Sequence, residues 1–228
     1  MLDLRKKKLL VIAPHADDEI LGCGGLMSKV KESGGQVYVI IFNVGSVQKN
    51  SRKGTSLWKN ETRDAMKFLK VDGYEVVFDS PQDNRYLDGK PLHSIIEIIE
   101  STSEFSLDKL KPDIVAIPTN HSHHQDHIVV FNAAIAALRP LRNPSPELVL
   151  SYEAPEHSRW SSTGVFEPNV FLDMKKIMEK KIRAFYKYKS QVRKGQRDKE
   201  TILAQARYRG SEVGREYCEA FMAHRSII

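Results

Sequence analysis

The feature that most constrains the fold of this chain is an apolar run that ends in a cluster of polar residues. The run Leu9-Leu10-Val11-Ile12 is short and continuous, which predicts a fully buried strand. It leads into Pro14-His15-Ala16-Asp17-Asp18-Glu19, where a histidine and two aspartates lie within four residues. Side chains of this kind at a strand end suit a divalent cation and the activation of water. We therefore expect a metal site where this strand turns into a helix.

A second polar cluster far downstream strengthens this interpretation. The apolar run Ile114-Val115-Ala116-Ile117 is followed by His121-Ser122-His123-His124-Gln125-Asp126-His127. In open α/β sheets ligands bind beyond the carboxyl ends of the strands, so the two clusters are expected at one edge. Either cluster alone has an ordinary explanation, as a cap or as a helix start stabilised by its dipole. Together they predict a single site.

The order of the predicted elements indicates a fold class. Continuous apolar strands alternate with helices through the first two thirds, which predicts an α/β fold: a Rossmann-like, mostly parallel sheet with helices on both faces. We predict strands at 8–14, 36–43, 74–78 and 148–150, with one more opened by Lys111-Pro112-Asp113, and helices at 18–33, 57–69, 92–103 and 124–138. Residues 46–55 are predicted to form a polar loop.

The pattern changes after Pro155, where we predict a C-terminal helical and loop subregion. It contains a long basic helix at about 173–189 and another at about 199–208. Neither a repeat nor a linker divides the sequence, so residues 1–228 are expected to form a single domain.

The composition argues against a membrane-spanning, secreted or disulfide-rich protein. No apolar stretch approaches the roughly 20 residues that a membrane span requires. The N-terminus does not read as a signal peptide, so we expect a cytoplasmic protein. The two cysteines, Cys23 and Cys218, do not make a disulfide framework. Cys23 lies within Gly22-Cys23-Gly24-Gly25, and we expect it to be a buried packing residue.

The net charge of +6 is concentrated between Lys175 and Arg197. One interpretation is a surface that binds nucleic acid or another anionic partner. The other is a solvated helix face whose apolar residues, Ile177, Ile182 and Phe185, point to the core. We favour the second and expect no nucleic-acid partner.

The spacing within the two clusters indicates the chemistry of the site. His15 and Asp18 are three residues apart at a strand-to-helix turn, and His127 can supply a third ligand from the second strand end. Two histidines and one aspartate leave coordination positions open, as a catalytic Zn²⁺ requires, and we expect one ion per chain. Asp17 is then placed to act as general base toward the attacking water.

The remaining residues of the second cluster have candidate roles as well. His124 and His127 are neighbours on one helix face, so His124 can stabilise an oxyanion as a cationic donor. Asp126 can orient one of these imidazoles. His121 and His123 are spare candidates without an assigned role.

At these positions the chain resembles the LmbE/PIG-L family of zinc-dependent N-deacetylases. The stretch at 14–19 is similar to the family's PHPDDE motif, and residues 124–127 are similar to its HxDH motif. The resemblance extends over nearly the whole chain and is strongest toward the diacetylchitobiose deacetylase branch. Ala16 departs from the family pattern, which usually has proline there, and we expect ligation to be intact.

The resemblance implies zinc on His15, Asp18 and His127, Asp17 as general base, and His124 as oxyanion stabiliser with Asp126 behind it. It also implies that Arg63 contacts hydroxyl or acyl oxygens of the substrate. The implied reaction is removal of the acetyl group from an N-acetylglucosamine-containing sugar, such as diacetylchitobiose or N-acetylglucosamine itself. The implied assembly is a homo-oligomer.

Other functions stay open at this stage. The site suits a metal-dependent hydrolase of another amide, or of a lipid- or thiol-linked N-acetylglucosamine glycoconjugate. A two-metal phosphoesterase needs more bridging carboxylates than the sequence offers. A basic-surface binding protein with a vestigial site is a further alternative. Specificity is expected in the loops at 45–56, 80–91 and 155–168, whose residue types do not identify a sugar.

Overall fold

A central sheet with helices on both faces organises the chain. The computed structural model describes residues 3–43, 52–79, 86–141, 144–154 and 164–227. Seven strands form the sheet in these ranges: β1 Lys8–His15, β2 Gln36–Asn43, β3 Gly73–Phe78, β4 Ile114–Pro118, β5 Leu148–Tyr152, β6 Val170–Asp173 and β7 Cys218–Ser226. Their order across the sheet is β3-β2-β1-β4-β5-β7-β6. Strands β1 to β5 are parallel, and β7 runs antiparallel to both β5 and β6.

Seven α-helices lie within the same ranges: α1 Asp18–Glu32, α2 Arg52–Leu69, α3 Leu92–Glu97, α4 Leu107–Leu110, α5 Gln125–Ala137, α6 Met178–Phe185 and α7 Lys199–Ser211. A π-helical turn, Ile98–Thr102, extends α3, and a 3-10 turn, Lys189–Gln191, follows α6. The predicted fold class, a mostly parallel α/β sheet with helices, is confirmed.

Strand β1 shows why helices cover both faces of the sheet. Leu9 and Val11 point into the hydrophobic core on one face, which includes buried residues of α1 and α6. Leu10 and Ile12 point into a second core on the other face, which includes buried residues of α3 and α5. Because alternate side chains of a strand lie on opposite faces, a strand that is apolar at every position needs a cover on each side.

The strand order places a crevice at the ends of β1 and β4. Strand β1 lies between β2 on one side and β4 on the other, so the direction of winding reverses between β1 and β4. This is the switch point at which doubly wound sheets bind ligands. The two polar clusters follow these two strands.

Close packing of α1 on the sheet explains its small residues. A Cβ atom on Gly22 would lie 2.1 Å from Cδ2 of Tyr152, so only glycine fits beside this buried ring. Cys23 is fully buried on the same helix and is a free thiol, as the packing interpretation predicted.

Most predicted elements are present, with shifted ends. Strand β2 has the predicted bounds, and α5 begins one residue after His124. Helix α2 begins at Arg52, so positions 52–55 of the predicted polar loop are helical. Positions 46–51 of that loop lie outside the described residues, as do parts of the three loops in which we expect specificity.

The prediction of one helix over about 173–189 is wrong. Val170–Asp173 forms an edge strand that pairs with β7, and the backbone N–H of Met174 donates to the carbonyl of Tyr217 at 2.9 Å. Helix α6 is therefore confined to Met178–Phe185. Pairing with a strand that is distant in sequence overrides the local helical pattern here. Strand β7 was not predicted either.

The apolar residues of the basic run lie as the solvated-face interpretation predicted, whereas its cations Lys181 and Arg197 are enclosed in ion pairs. Ile177, Ile182 and Phe185 are buried in the core. In the ranges that the structure describes, no helix combines the length and the apolar character needed to cross a membrane.

Candidate metal centre and active site

The turn between β1 and α1 is held by the motif's own side chains. His15 is the last residue of β1, and its backbone N–H donates to Oδ2 of Asp18 at 3.0 Å. Asp17 precedes α1 with φ 114°, a left-handed conformation that residues other than glycine rarely adopt. Its N–H donates to Oε2 of Glu19 at 3.0 Å, and its carbonyl accepts from Ile20 and Leu21. The strained backbone is thereby fixed on both sides.

Glu19 is in turn supported from the C-terminal part of the chain. The hydroxyl of Tyr188 donates to Oε1 of Glu19 at 2.7 Å, and both side chains are fully buried. Burial raises the pKa of Glu19 to about 8. Glu19, the last residue of the motif, thus stabilises the turn from a buried position. This role was not predicted from the sequence.

The second cluster enters the site from the start of α5. His124 is the N-cap residue, and its Nδ1 accepts a hydrogen bond from the N–H of Asp126 at 3.3 Å. The N–H of His124 donates to Oγ of Ser122 at 3.1 Å. His127 lies one turn into the helix and is 2% exposed. Capping geometry therefore decides which ring atom of His124 faces the crevice.

The structure brings the three predicted ligands together. Oδ2 of Asp18 lies 3.2 Å from Nδ1 of His15 and 3.2 Å from Nε2 of His127. One ligand atom from each of these residues falls within 4.8 Å of the others. We call this group the metal site. Its ligands come from two strand ends that are adjacent in the sheet, as the sequence analysis expected.

Asp126 lies beside a different imidazole from those expected. Its Oδ2 is 2.9 Å from Nε2 of His15, and its Oδ1 accepts from the N–H of Leu87 at 3.0 Å. The carboxylate thus contacts the histidine of the first cluster, while the backbone amide of Asp126 donates to His124. His15, His124 and Asp126 form a second group of converging ligand atoms that shares His15 with the metal site.

The ionisable side chains of the metal site stabilise one another's charged forms. Burial works against protonation of His15, but its hydrogen bonds with Asp126 and Asp18 outweigh burial and raise its pKa to about 9. Burial also opposes ionisation of Asp18, yet His127 and His15 hold the pKa of Asp18 well below its usual range. A cation that binds must replace the proton on His15, so binding releases a proton.

His124 is kept neutral by its surroundings. Burial, together with the charges of His15 and His127, lowers its pKa to about 4. With Nδ1 accepting from the Asp126 amide, the proton of the neutral ring lies on Nε2. Whereas the sequence analysis expected a cationic donor, this geometry offers a neutral N–H donor.

The donor set fits a divalent cation. Oδ1 of Asp18 is buried and has no hydrogen-bond partner within the described ranges. A buried carboxylate oxygen without a partner is costly, and coordination would satisfy it. Two imidazoles and one carboxylate are a donor set that catalytic zinc sites use.

Asp17 does not share the histidine partners of Asp18 but contacts an arginine. Its side chain is 2% exposed, and its Oδ2 accepts from Nη1 of Arg197 at 2.7 Å. This arginine lies 180 positions further along the chain. In the sequence, Arg197 is distinguished only as the last residue of the basic run.

The remaining candidates lie outside the metal site. Arg63 is on α2 with its side chain 61% exposed, 3.6 Å from the carboxylate of Asp64. In the described part of the chain it makes no hydrogen bond to the metal-site residues. His121 is half-buried and His123 is exposed, and neither joins a described group of converging ligand atoms. The N–H of Leu87, which no side-chain pattern could have revealed, is a support that sequence reasoning missed.

Comparison with known proteins places this site in a family. The model of the PIG-L family, described as GlcNAc-PI de-N-acetylase, matches residues 10–138, which include both polar clusters. This is more than half of the chain, and the chain belongs to the PIG-L family.

Two relatives and one solved structure show how close the similarity is. The uncharacterized deacetylase YaiS of Escherichia coli (strain K12) is 28% identical over 82% of this chain and 92% of its own length. The probable N-acetyl-alpha-D-glucosaminyl L-malate deacetylase 2 of Bacillus subtilis (strain 168) is 26% identical over 82% and 84%. The N,N'-diacetylchitobiose deacetylase of Pyrococcus horikoshii has a TM-score of 0.73 at 21% identity, covering 95% of this chain and 83% of that one. At 21% identity, the similarity to the Pyrococcus horikoshii structure shows a shared fold alone.

Proposed function

We propose that this chain is a zinc-dependent hydrolase that removes the N-acetyl group from an N-acetylglucosamine-containing sugar, giving a free amine and acetate. The observation that carries the proposal is the convergence of His15, Asp18 and His127 beside Asp17. Membership of the PIG-L family and the deacetylase names of two relatives support this chemistry.

His15, Asp18 and His127 would hold a divalent cation, which would supply the Lewis acidity that polarises the acetyl carbonyl and acidifies the attacking water. Asp17 takes the proton from that water as general base and returns it to the nitrogen of the leaving amine. The Nε2–H of His124 donates to the oxygen that becomes negative when the carbonyl is attacked. Asp126 holds His15 in place through Nε2, with its own orientation set by the Leu87 amide.

Substrate recognition is assigned to Arg63, whose exposed guanidinium can donate to hydroxyl or acyl oxygens. The sugars proposed first are diacetylchitobiose and N-acetylglucosamine. The PIG-L description and the malate deacetylase relative favour a second candidate, an N-acetylglucosamine glycoconjugate.

The test is acetate release by metal-stripped protein, with and without added Zn²⁺. Its substrates are N-acetylglucosamine, its β-1,4-linked dimer and N-acetylglucosaminyl malate. Zinc-dependent release from any of these supports a deacetylase and ranks its substrates. Absence of release from all three, in protein that binds one zinc per chain, would contradict the proposed substrate class. The single domain, the homo-oligomer and the cytoplasmic location stay predictions, and sedimentation velocity measures the oligomeric state.

A further inference from the structure

We infer, on the basis of the proposed function, that Arg197 is a positioning residue that holds the Asp17 carboxylate in place for its work as general base. Nη1 of Arg197 donates to Oδ2 of Asp17 at 2.7 Å, and their side chains are 12% and 2% exposed. A hydrogen bond between two charged groups in such an enclosed position is short and strong.

The local crowding of carboxylates shows why Asp17 requires this partner. Asp17, Asp18 and Glu19 are consecutive and all buried. Asp18 is paired with two histidines, and Glu19 accepts from a tyrosine hydroxyl. A buried carboxylate must be paired, and the cation that Asp17 faces comes from the far end of the chain.

The loop that carries Arg197 is built to present it rigidly. The backbones of Arg193 and Arg197 exchange two hydrogen bonds of 2.9 and 2.8 Å around a turn in which Gly195 has φ 76°. Asp198 accepts from the N–H of Gly195 and from the N–H of Thr201, so it closes the turn and caps α7 at once. Arg197 is thus anchored between a closed turn and a capped helix.

This anchoring matters because general-base catalysis depends on geometry. With Oδ2 held by Arg197, rotation of the Asp17 carboxylate is restricted before a substrate binds. A small rotation of the carboxylate would misalign the proton transfer without altering the metal ligands. Arg197 therefore acts through Asp17 and is distinct from a residue that binds the sugar.

The experiment compares Arg197→Ala and Arg197→Lys with wild type and with Arg193→Ala, which removes an exposed arginine of the same loop. Acetate release is measured on the best substrate of the wild-type protein, and kcat and KM are determined separately. We expect Arg197→Ala to lower kcat by about 10- to 100-fold, with KM changed by less than about 2-fold. Arg197→Lys and added guanidinium ion should each restore part of kcat.

Two further readouts separate positioning from a structural role. Zinc content and the visible spectrum of the Co²⁺-loaded protein should match wild type in every variant. Unchanged kcat in Arg197→Ala would overturn the inference, as would a loss confined to KM or a loss of metal. If Arg197→Ala does not fold, Arg197→Lys provides the test. We then expect a kcat below that of wild type but still measurable, and a Co²⁺ spectrum that matches wild type. Wild-type protein that releases no acetate would overturn the proposed function itself, and the inference with it.

Discussion

The amino-terminal region of the molecule, residues 8–152, and the carboxy-terminal region, residues 164–227, contribute to the site in different ways. The first supplies every predicted metal ligand, with His15 and Asp18 at the end of β1 and His127 at the start of α5, the helix that follows β4. The second supplies no metal-site ligand and contacts the start of α1 instead, through Arg197 on Asp17 and Tyr188 on Glu19. The proposed reacting groups are thus carried by compact motifs, while residues from a distant part of the chain contact and support them.

The body of α1 is also held from the carboxy-terminal region. Glu219 accepts from the N–H groups of Gly25 and Leu26 at 2.6 and 2.8 Å. Lys181 donates to Glu219 at 2.8 Å and to the carbonyl of Leu21 at 2.6 Å. This buried ion pair holds α1, the helix that begins at Asp18 directly after the proposed general base Asp17.

The largest effect is expected at a metal ligand of the amino-terminal region. Asp18→Asn keeps the size of the side chain but weakens coordination, so zinc content should fall and turnover should drop on the order of 1,000-fold or more. Zinc analysis and acetate release measure both. Asp64→Asn, which changes an exposed aspartate on α2, is the matched control. Full zinc content in Asp18→Asn would remove Asp18 from the ligand set.

Substitutions in the carboxy-terminal region should change the free energy of unfolding. Lys181→Met leaves the buried Glu219 without its cation and should lower the free energy of unfolding by about 3–5 kcal/mol in urea titration. Lys180→Met, which removes a partly exposed neighbour paired with Glu32, should cost no more than about 1 kcal/mol. Adding Glu219→Gln to Lys181→Met should recover part of the loss. Equal losses of unfolding free energy for Lys180→Met and Lys181→Met would contradict a stabilising role of the Lys181–Glu219 pair.

Asp126 distinguishes the two overlapping groups of ligand atoms. If it supports His15 rather than binding metal, Asp126→Asn should retain zinc and lose about 10- to 100-fold in turnover. His127→Gln, by contrast, should lose zinc. The reverse pattern, with zinc lost in Asp126→Asn and kept in His127→Gln, would assign the metal to His15, His124 and Asp126.

The smallest effect is expected at Arg63. Because its guanidinium is exposed and contacts only substrate in the proposed mechanism, Arg63→Ala should raise KM by about 3- to 10-fold and leave kcat nearly unchanged. Lys67→Ala, on the same helix, is the control. An unchanged KM would argue against a role for Arg63 in binding.

Sequence reasoning succeeded where neighbouring residues act together. The convergence of the candidate ligands at 15–18 and 124–127 could be predicted because each cluster follows an apolar strand, and parallel strands bring their carboxyl ends to one edge. The bounds of β2 were predicted because its β-branched and aromatic residues form one uninterrupted run. The family resemblance drawn from the same motifs is confirmed by the match over residues 10–138.

It failed where a residue's role depends on distant pairing. Val170–Asp173 is a strand only because β7 lies beside it, some fifty residues later in the chain. Nothing in the basic run separates Arg197 from its neighbours until the turn at Gly195 directs it to Asp17. The support of Asp126 by Leu87 uses a backbone amide, which leaves no trace in side-chain identity.

The most direct test of a metal centre with a separate general base is the substitution Asp17→Asn in zinc-loaded protein. Zinc content should remain at one ion per chain, because Asp17 is not among the proposed ligands. Acetate release should fall by about 100- to 10,000-fold, because the amide cannot accept the proton of the attacking water. Turnover equal to wild type at full zinc content would contradict the role of Asp17 and, with it, the proposed mechanism.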